Sequence, residues 1–301
     1  MGRRGGGRRG LPRVPYDALV EEGSGGGRRP DGCGRGSAGG GRVAVEPHGA
    51  GAEGQGVRGC SWASACGAAW AAAGLLLLAL AVSASAGGRA EQPPPPPERA
   101  LNPYVLALLQ SYPADGTHGY WWPKDGSYDG TTCDLVYQGE VVARGEPGRR
   151  TYCCGLTFEV WLRACEAWWR RHRPSAGHLR VGDLDAAGLR KLRAEWFCAR
   201  GGRGGPVDAL VPRGLGVRIE RLQDARPGDF VQLWRADRSG HSVIFLGWER
   251  QGGEIAGIRY WSTQRATRGI GIHREYFAGP RAVRRDELYI ARALLPAASA
   301  D

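Results

Sequence analysis

"CCGLTFEVWLRACEAWWRRHR", residues 153–173, decides the fold. Cys154, Phe158, Trp161, Cys165 and Trp168 recur at steps of four, three, four and three, the spacing that aligns side chains on one face of an α-helix. A long helix is therefore predicted, with the Cys154 row turned to the core. Cys153 then stands at the tip, rotated off that row, where the backbone N–H groups of the first turn have no partner within the helix. A thiol attacks a carbonyl only as thiolate, and a helix N-terminus and a nearby imidazole both lower its pKa. Cys153 is the expected nucleophile and Cys154 a packing residue; a shifted helix start would exchange their roles.

Ahead of this helix, "LNPYVLALLQSY" predicts a short helix with Asn102 as N-cap and Pro103 at the first helical position. An aromatic, turn-rich loop, "HGYWWPKDGSYDGTT", follows it. "DLVYQGEVVARG" reads as two short strands around a Gln138-Gly139 turn. Behind it, a second helix is expected from an Asp183 cap to the edge of "GGRGG". The period then changes from 3.6 to 2. "GVRIERL", "DFVQLWR", "HSVIFLGWE", "IAGIRYWST" and "ELYIARALL" are five strand candidates, and helices followed by a run of antiparallel strands indicate the α+β class.

The 301 residues are unevenly composed. Residues 1–59 are about one third glycine, with many arginines and few apolar side chains; such a segment buries too little to offset its ordering entropy and is expected to be disordered. Residues 60–86 carry no charge, and Ala84-Ser85-Ala86 has the small-x-small form of a cleavage site, so this is a signal peptide or a membrane anchor. Nearly sixty residues is long for the basic region before a signal, and translation from Val57 would leave a compact one. Residues 87–99 hold the run "EQPPPPPER", a semi-rigid spacer. The folded domain is expected over 100–296, exported to a periplasmic, cell-envelope or extracellular location. The net charge of +11 divides as +5 through residue 90 and +6 beyond. It demands no nucleic-acid surface, and no aromatic is interleaved with the arginines of "RRGGGRRG" as an RNA-binding arm would require. Membrane contact is expected only through 60–86, and the domain is expected to be a monomer.

Five of the eight cysteines, Cys133, Cys153, Cys154, Cys165 and Cys198, lie in the domain. Five is odd, so at least one thiol is unpaired in a compartment that oxidises thiols. No CxxC spacing occurs and the six histidines are scattered, so no metal site is expected. His241 is the best candidate base, because it opens a strand after a turn and can face a cleft while "VIFLGW" stays buried. His118, His172, His178 and His273 read as surface or structural residues, and His48 lies outside the domain.

These residues resemble the NlpC-like cysteine peptidases and their CHAP relatives. "CCGLTFEVW" is similar to that family's "C-S-G-F" helix start, with Cys153 at the nucleophile position, Cys154 where serine is usual and Gly155 at the glycine. "RPGDFVQLW…SGHSVIFLGW" resembles its paired strands and brings His241 in as base. The resemblance spans about residues 130–265. It implies a papain-like α+β fold, a cysteine helix packed on a small antiparallel sheet or half-barrel, with no cofactor. It further implies an exported hydrolase cleaving amide bonds in peptidoglycan stem peptides. The third catalytic residue belongs on the strand after the base, where Tyr260, Ser262 and Gln264 share one side; Gln264 is the first candidate to orient the imidazole, as asparagine does in papain-like sites, and Ser262 the second. The roughly 50 residues between the cysteine helix and "RPGD" depart from the family. Two other functions remain open: a papain-fold amidase or acyltransferase on another substrate, and a non-catalytic secreted binding domain in which Cys153 pairs with Cys133 or Cys198.

Overall fold

The structure is a computed structural model that describes residues 99–296 apart from Lys124; the segments 1–59 and 60–86, and the spacer up to Glu98, lie outside the described residues. The chain folds as α1 (Asn102–Leu109), β1 (Leu135–Tyr137), β2 (Glu140–Ala143), α2 (Cys153–His172), α3 (Ala186–Trp196), α4 (Pro206–Leu210), β3 (Gly216–Ile219), β4 (Phe230–Arg235), β5 (Gly240–Gln251), β6 (Glu254–Gln264), β7 (Gly269–Tyr276) and β8 (Val283–Ala293). This is an α+β arrangement. The last six strands form one antiparallel sheet in the order β3-β8-β4-β5-β6-β7, and β1 and β2 form a separate hairpin.

The centre of the sheet is buried on both faces. Phe230, Ile244, Trp261, Ile270 and Ala291 join the core that also holds Val105, Phe158, Leu189 and Leu210 from the four helices. The alternate residues Val231, Leu233, Val243, Phe245, Tyr260 and Ile290 build a second core on the opposite face. This two-sided burial follows from the period-2 geometry of a strand and explains why every residue of β4 is buried.

α2 is more deeply enclosed than a one-sided stripe implies, since every residue from Cys153 to Leu162 is buried. Such a helix lies inside the core rather than on it. α1 and α3 pack on it from one side and β5 and β6 from the other. Arg170, Arg171 and His172 occupy its last turn, where positive charge suits the negative end of the helix dipole. Even so, among the described residues no helix is long and apolar enough to cross a membrane.

Four local expectations are corrected. Asn102 is not the cap of α1: Leu101 holds that position, and the Asn102 amide instead donates to Pro227 O at 2.9 Å and to Asp229 Oδ1 at 2.8 Å. α3 starts at Asp185, not Asp183, because the Asp185 carboxylate accepts from Gly188 N at 2.7 Å, the N3 contact of a true N-cap. β7 was not foreseen, since Gly269 and Gly271 interrupt the alternation in "GIGIHREY". Neither was α4, a five-residue turn started by Pro206. The Gln138-Gly139 turn lies as read, with φ of 51° and 84°, the positive pair that a tight hairpin turn demands.

The "PGD" triplet has a structural task. Asp229 is fully buried, and its carboxylate accepts from Arg292 Nε at 2.9 Å, Arg292 Nη2 at 2.8 Å and Arg226 N at 2.8 Å as well as from Asn102. It thereby ties the start of β4 to β8 and α1. A two-pronged guanidinium contact with the remaining lone pairs filled is the geometry in which a buried carboxylate is tolerated.

Candidate active site

Cys153 is the first residue of α2, following Tyr152 in extended conformation, and no side chain caps that end. The loop before β1 crosses the helix tip closely. A Cβ on Gly155 would lie 2.0 Å from Asp129 O and 2.5 Å from Gly130 C, so only glycine lets this backbone rest there. The loop is held by Glu159, which is fully buried one turn further on. Its carboxylate accepts from Thr132 N at 2.7 Å, Thr132 Oγ1 at 2.6 Å, Tyr112 Oη at 3.1 Å and Arg163 Nε at 2.8 Å.

His241 is the second residue of β5, opposite Leu233 of β4. Thr157 Oγ1 and Ser242 Oγ, 2.8 Å apart, join α2 to β5 one turn beyond Cys153 and one residue beyond His241. Trp196 Nε1 donates to the same Thr157 oxygen at 3.1 Å. Both site residues are enclosed, Cys153 at 7% and His241 at 5% exposure.

The two adjacent thiols differ sharply. A hydrogen bond from Cys154 holds Cys153 well below the ordinary thiol range; the charge and hydrogen bond of His241 and the backbone N–H of Ser242 act the same way, against burial, which opposes them. Burial, then the bond to Cys153, pushes Cys154 well above that range. The two neighbours are thus pushed in opposite directions, Cys153 toward the thiolate and Cys154 toward the protonated thiol. Burial raises Cys165 as well, and Cys198 to about 12. All five described cysteines are free, so Cys153 is bonded to neither Cys133 nor Cys198; Cys133 Sγ instead accepts from Arg163 Nη2 at 2.9 Å.

The strand candidates for the third residue sit as follows. Ser262 Oγ donates to Ser242 O at 2.8 Å, so it braces the peptide beside Cys153 and His241. Gln264 Oε1 lies 2.8 Å from Tyr260 Oη, while its Nε2 is buried without a partner. His241 Nε2 is likewise buried without a partner, so neither Gln264 nor Ser262 is hydrogen-bonded to it. The Tyr260 ring stands edge-on to His241, with centroids 5.6 Å apart.

Beyond Tyr260 lies a buried polar network that sequence reasoning missed. Glu275 takes both prongs of Arg235, at 2.6 and 2.7 Å, and also the hydroxyl of Tyr260. Glu275 belongs to the unforeseen β7, which hid it; a charged Arg235 closing an otherwise apolar strand was the available signal. His273, read as surface or structural, is half-buried on the same strand, its ring 6.0 Å from that of Tyr260. His118 does have a structural role, with Nδ1 2.9 Å from Arg149 O, and His172 and His178 are exposed. Among the described residues no group of three or more His, Cys, Asp or Glu side chains could hold a metal ion.

Cys153, His241 and the uncapped tip of α2 thus lie together in one enclosed place. No family model, no curated protein and no solved structure matches this chain.

Proposed function

We propose that the chain is an exported cysteine hydrolase of the papain-like, NlpC/CHAP type that cleaves an amide bond in peptidoglycan stem peptides. The observation that carries this proposal is the pairing of a depressed Cys153 thiol with His241 at an uncapped helix N-terminus, beside a Cys154 thiol driven the other way. A thiol pushed toward the thiolate beside an imidazole, at a helix tip, is what covalent catalysis by cysteine requires.

In this mechanism His241 takes the proton of the Cys153 thiol, and Sγ attacks the amide carbonyl. The oxyanion is met by backbone N–H groups of the first turn of α2. The tetrahedral intermediate collapses as the C–N bond breaks, and His241 gives the leaving amine its proton. A water molecule, deprotonated by His241, then attacks the thioester, releasing the carboxylic acid and restoring Cys153. Thr157, Ser242 and Ser262 keep the helix tip and the base in register through their mutual hydrogen bonds.

The test is incubation of the full chain with purified peptidoglycan and with soluble stem peptides, followed by mass spectrometry. The expected result is a pair of fragments that together carry the mass of one added water, absent with Cys153→Ala. Intact peptides after incubation with chain whose Cys153 still alkylates would overturn the substrate assignment. Fragments formed equally well by Cys153→Ala would overturn the nucleophile.

A further inference from the structure

A pocket of about 300 Å³ opens on the sheet face that carries His241, lined by Arg235, Gln264, His273, Glu275, Tyr276 and Ala278 among others. Its volume is at the lower end for a small-ligand site. Gln264 reaches it from the end of β6, 95% buried and with one amide atom lacking any partner.

The network fixes what that atom is. Tyr260 has one hydroxyl proton and two oxygen neighbours, Glu275 Oε1 and, at 2.8 Å, Gln264 Oε1. The Arg235 fork holds Glu275 below the usual carboxylate range despite its burial, so it is an acceptor only, and burial followed by the Glu275 charge keeps Tyr260 protonated. The proton therefore goes to Glu275, and toward Gln264 the hydroxyl offers a lone pair. The amide satisfies it by turning its NH2 to Tyr260, which leaves the carbonyl oxygen in the unpartnered position. His241 Nε2 is not bonded to that position.

The charges around the pocket are already matched. Arg235 is held by Glu275, Arg274 Nε lies 2.9 Å from Glu249, and Arg281 Nε lies 3.3 Å from Asp237. Burial lowers the His273 pKa, so at neutral pH its ring brings no compensating charge. Each charge lining the pocket has a partner of opposite sign, whereas the Gln264 amide has an unfilled acceptor and the imidazole beside it is neutral, so the unmet hydrogen-bonding capacity of this wall suits an amide N–H.

We propose that this pocket is a substrate subsite for an uncharged peptide-type amide, whose N–H is accepted by the side-chain carbonyl of Gln264. Gln264 is then a binding residue, linked to His241 through Tyr260, which bonds Gln264 and stands edge-on to the His241 ring; the inference rests on Cys153 and His241 being the catalytic pair.

The probe is N-methylpropanamide, with methyl propanoate as the analogue that lacks the N–H. Binding is measured by NMR titration to the full chain carrying Cys153→Ala, so that turnover plays no part. The amide is expected to bind at least about tenfold tighter than the ester, because the ester leaves the Gln264 carbonyl unpaired. Gln264→Met should remove this preference, and Ala278→Trp, which fills the exposed mouth without touching Tyr260 or Gln264, should abolish binding of both. Equal affinity for amide and ester, or a preference that survives Gln264→Met, would overturn the subsite. So would amide binding that Ala278→Trp leaves unchanged. These outcomes are separable from the hydrolase assignment: loss of the subsite with cleavage intact refutes only the former, and amide-selective binding by a chain that cleaves nothing refutes only the latter.

Discussion

Replacing Cys153 by alanine is expected to lower the rate of amide cleavage by on the order of 10⁴-fold or more, the scale seen when a covalent nucleophile is removed from an intact site. The neighbouring thiol cannot take over, because burial and the bond it makes to Cys153 keep Cys154 protonated. Cys154→Ser should retain activity within about tenfold, since a hydroxyl still donates to the Cys153 sulfur. Cys154→Ala removes the donor and should raise the Cys153 pKa, slowing the reaction most at low pH. Steady-state rates for the three variants with one stem-peptide substrate decide the matter. Equal loss in Cys153→Ala and Cys154→Ser would contradict the assignment, and the reverse order would make Cys154 the nucleophile.

The second large effect is on stability. Glu159→Ala should cost about 3–5 kcal/mol, as expected when one partner of a buried ion pair is removed. Arg163, at 16% side-chain exposure, would keep its charge with its close carboxylate gone. Thr132 N and Oγ1 would lose their acceptor, and the loop that crosses the tip of α2 would be released. Glu159→Gln, which keeps the acceptor oxygen, should cost less. Denaturant midpoints of the three chains, compared at equal m-value, check this. A midpoint for Glu159→Ala within error of the parent would mean that the carboxylate does not hold the loop.

Legibility in the sequence followed the range of the interactions. The period-3.6 row from Cys154 to Trp168 and the period-2 strands are local patterns, and both elements stand where they were read. The two caps were misplaced because Asn102 and Asp183 are suitable residue types whose side chains do not cap the helices: Asn102 bonds to Pro227 and Asp229, 125 and 127 positions away. β7 escaped because two glycines broke its alternation, and with it went Glu275. That loss concealed the Arg235–Glu275–Tyr260 network, which joins three strands and has no local signature. The candidate pair Cys153 and His241 was readable because each lies at the end of an element. What surrounds them was not: the use of Ser262 as a brace and the unpartnered amide of Gln264 depend on which strands adjoin.

The most direct test of Cys153 as a thiolate nucleophile is the pH dependence of iodoacetamide alkylation of the native full chain, with each labelled cysteine located by mass spectrometry. Mapping separates the domain from Cys33, Cys60 and Cys66 nearer the N-terminus. A folded pKa below the ordinary value of about 8.5 keeps the thiolate populated at neutral pH, and the rate falls only as pH drops through the lowered value. The account therefore predicts that Cys153 reacts fastest, with a rate nearly flat from about pH 9 down to neutrality, and that His241→Gln shifts the fall to higher pH. A Cys153 rate that climbs through about pH 8.5 like a free thiol, or label that falls first on Cys154, would contradict it.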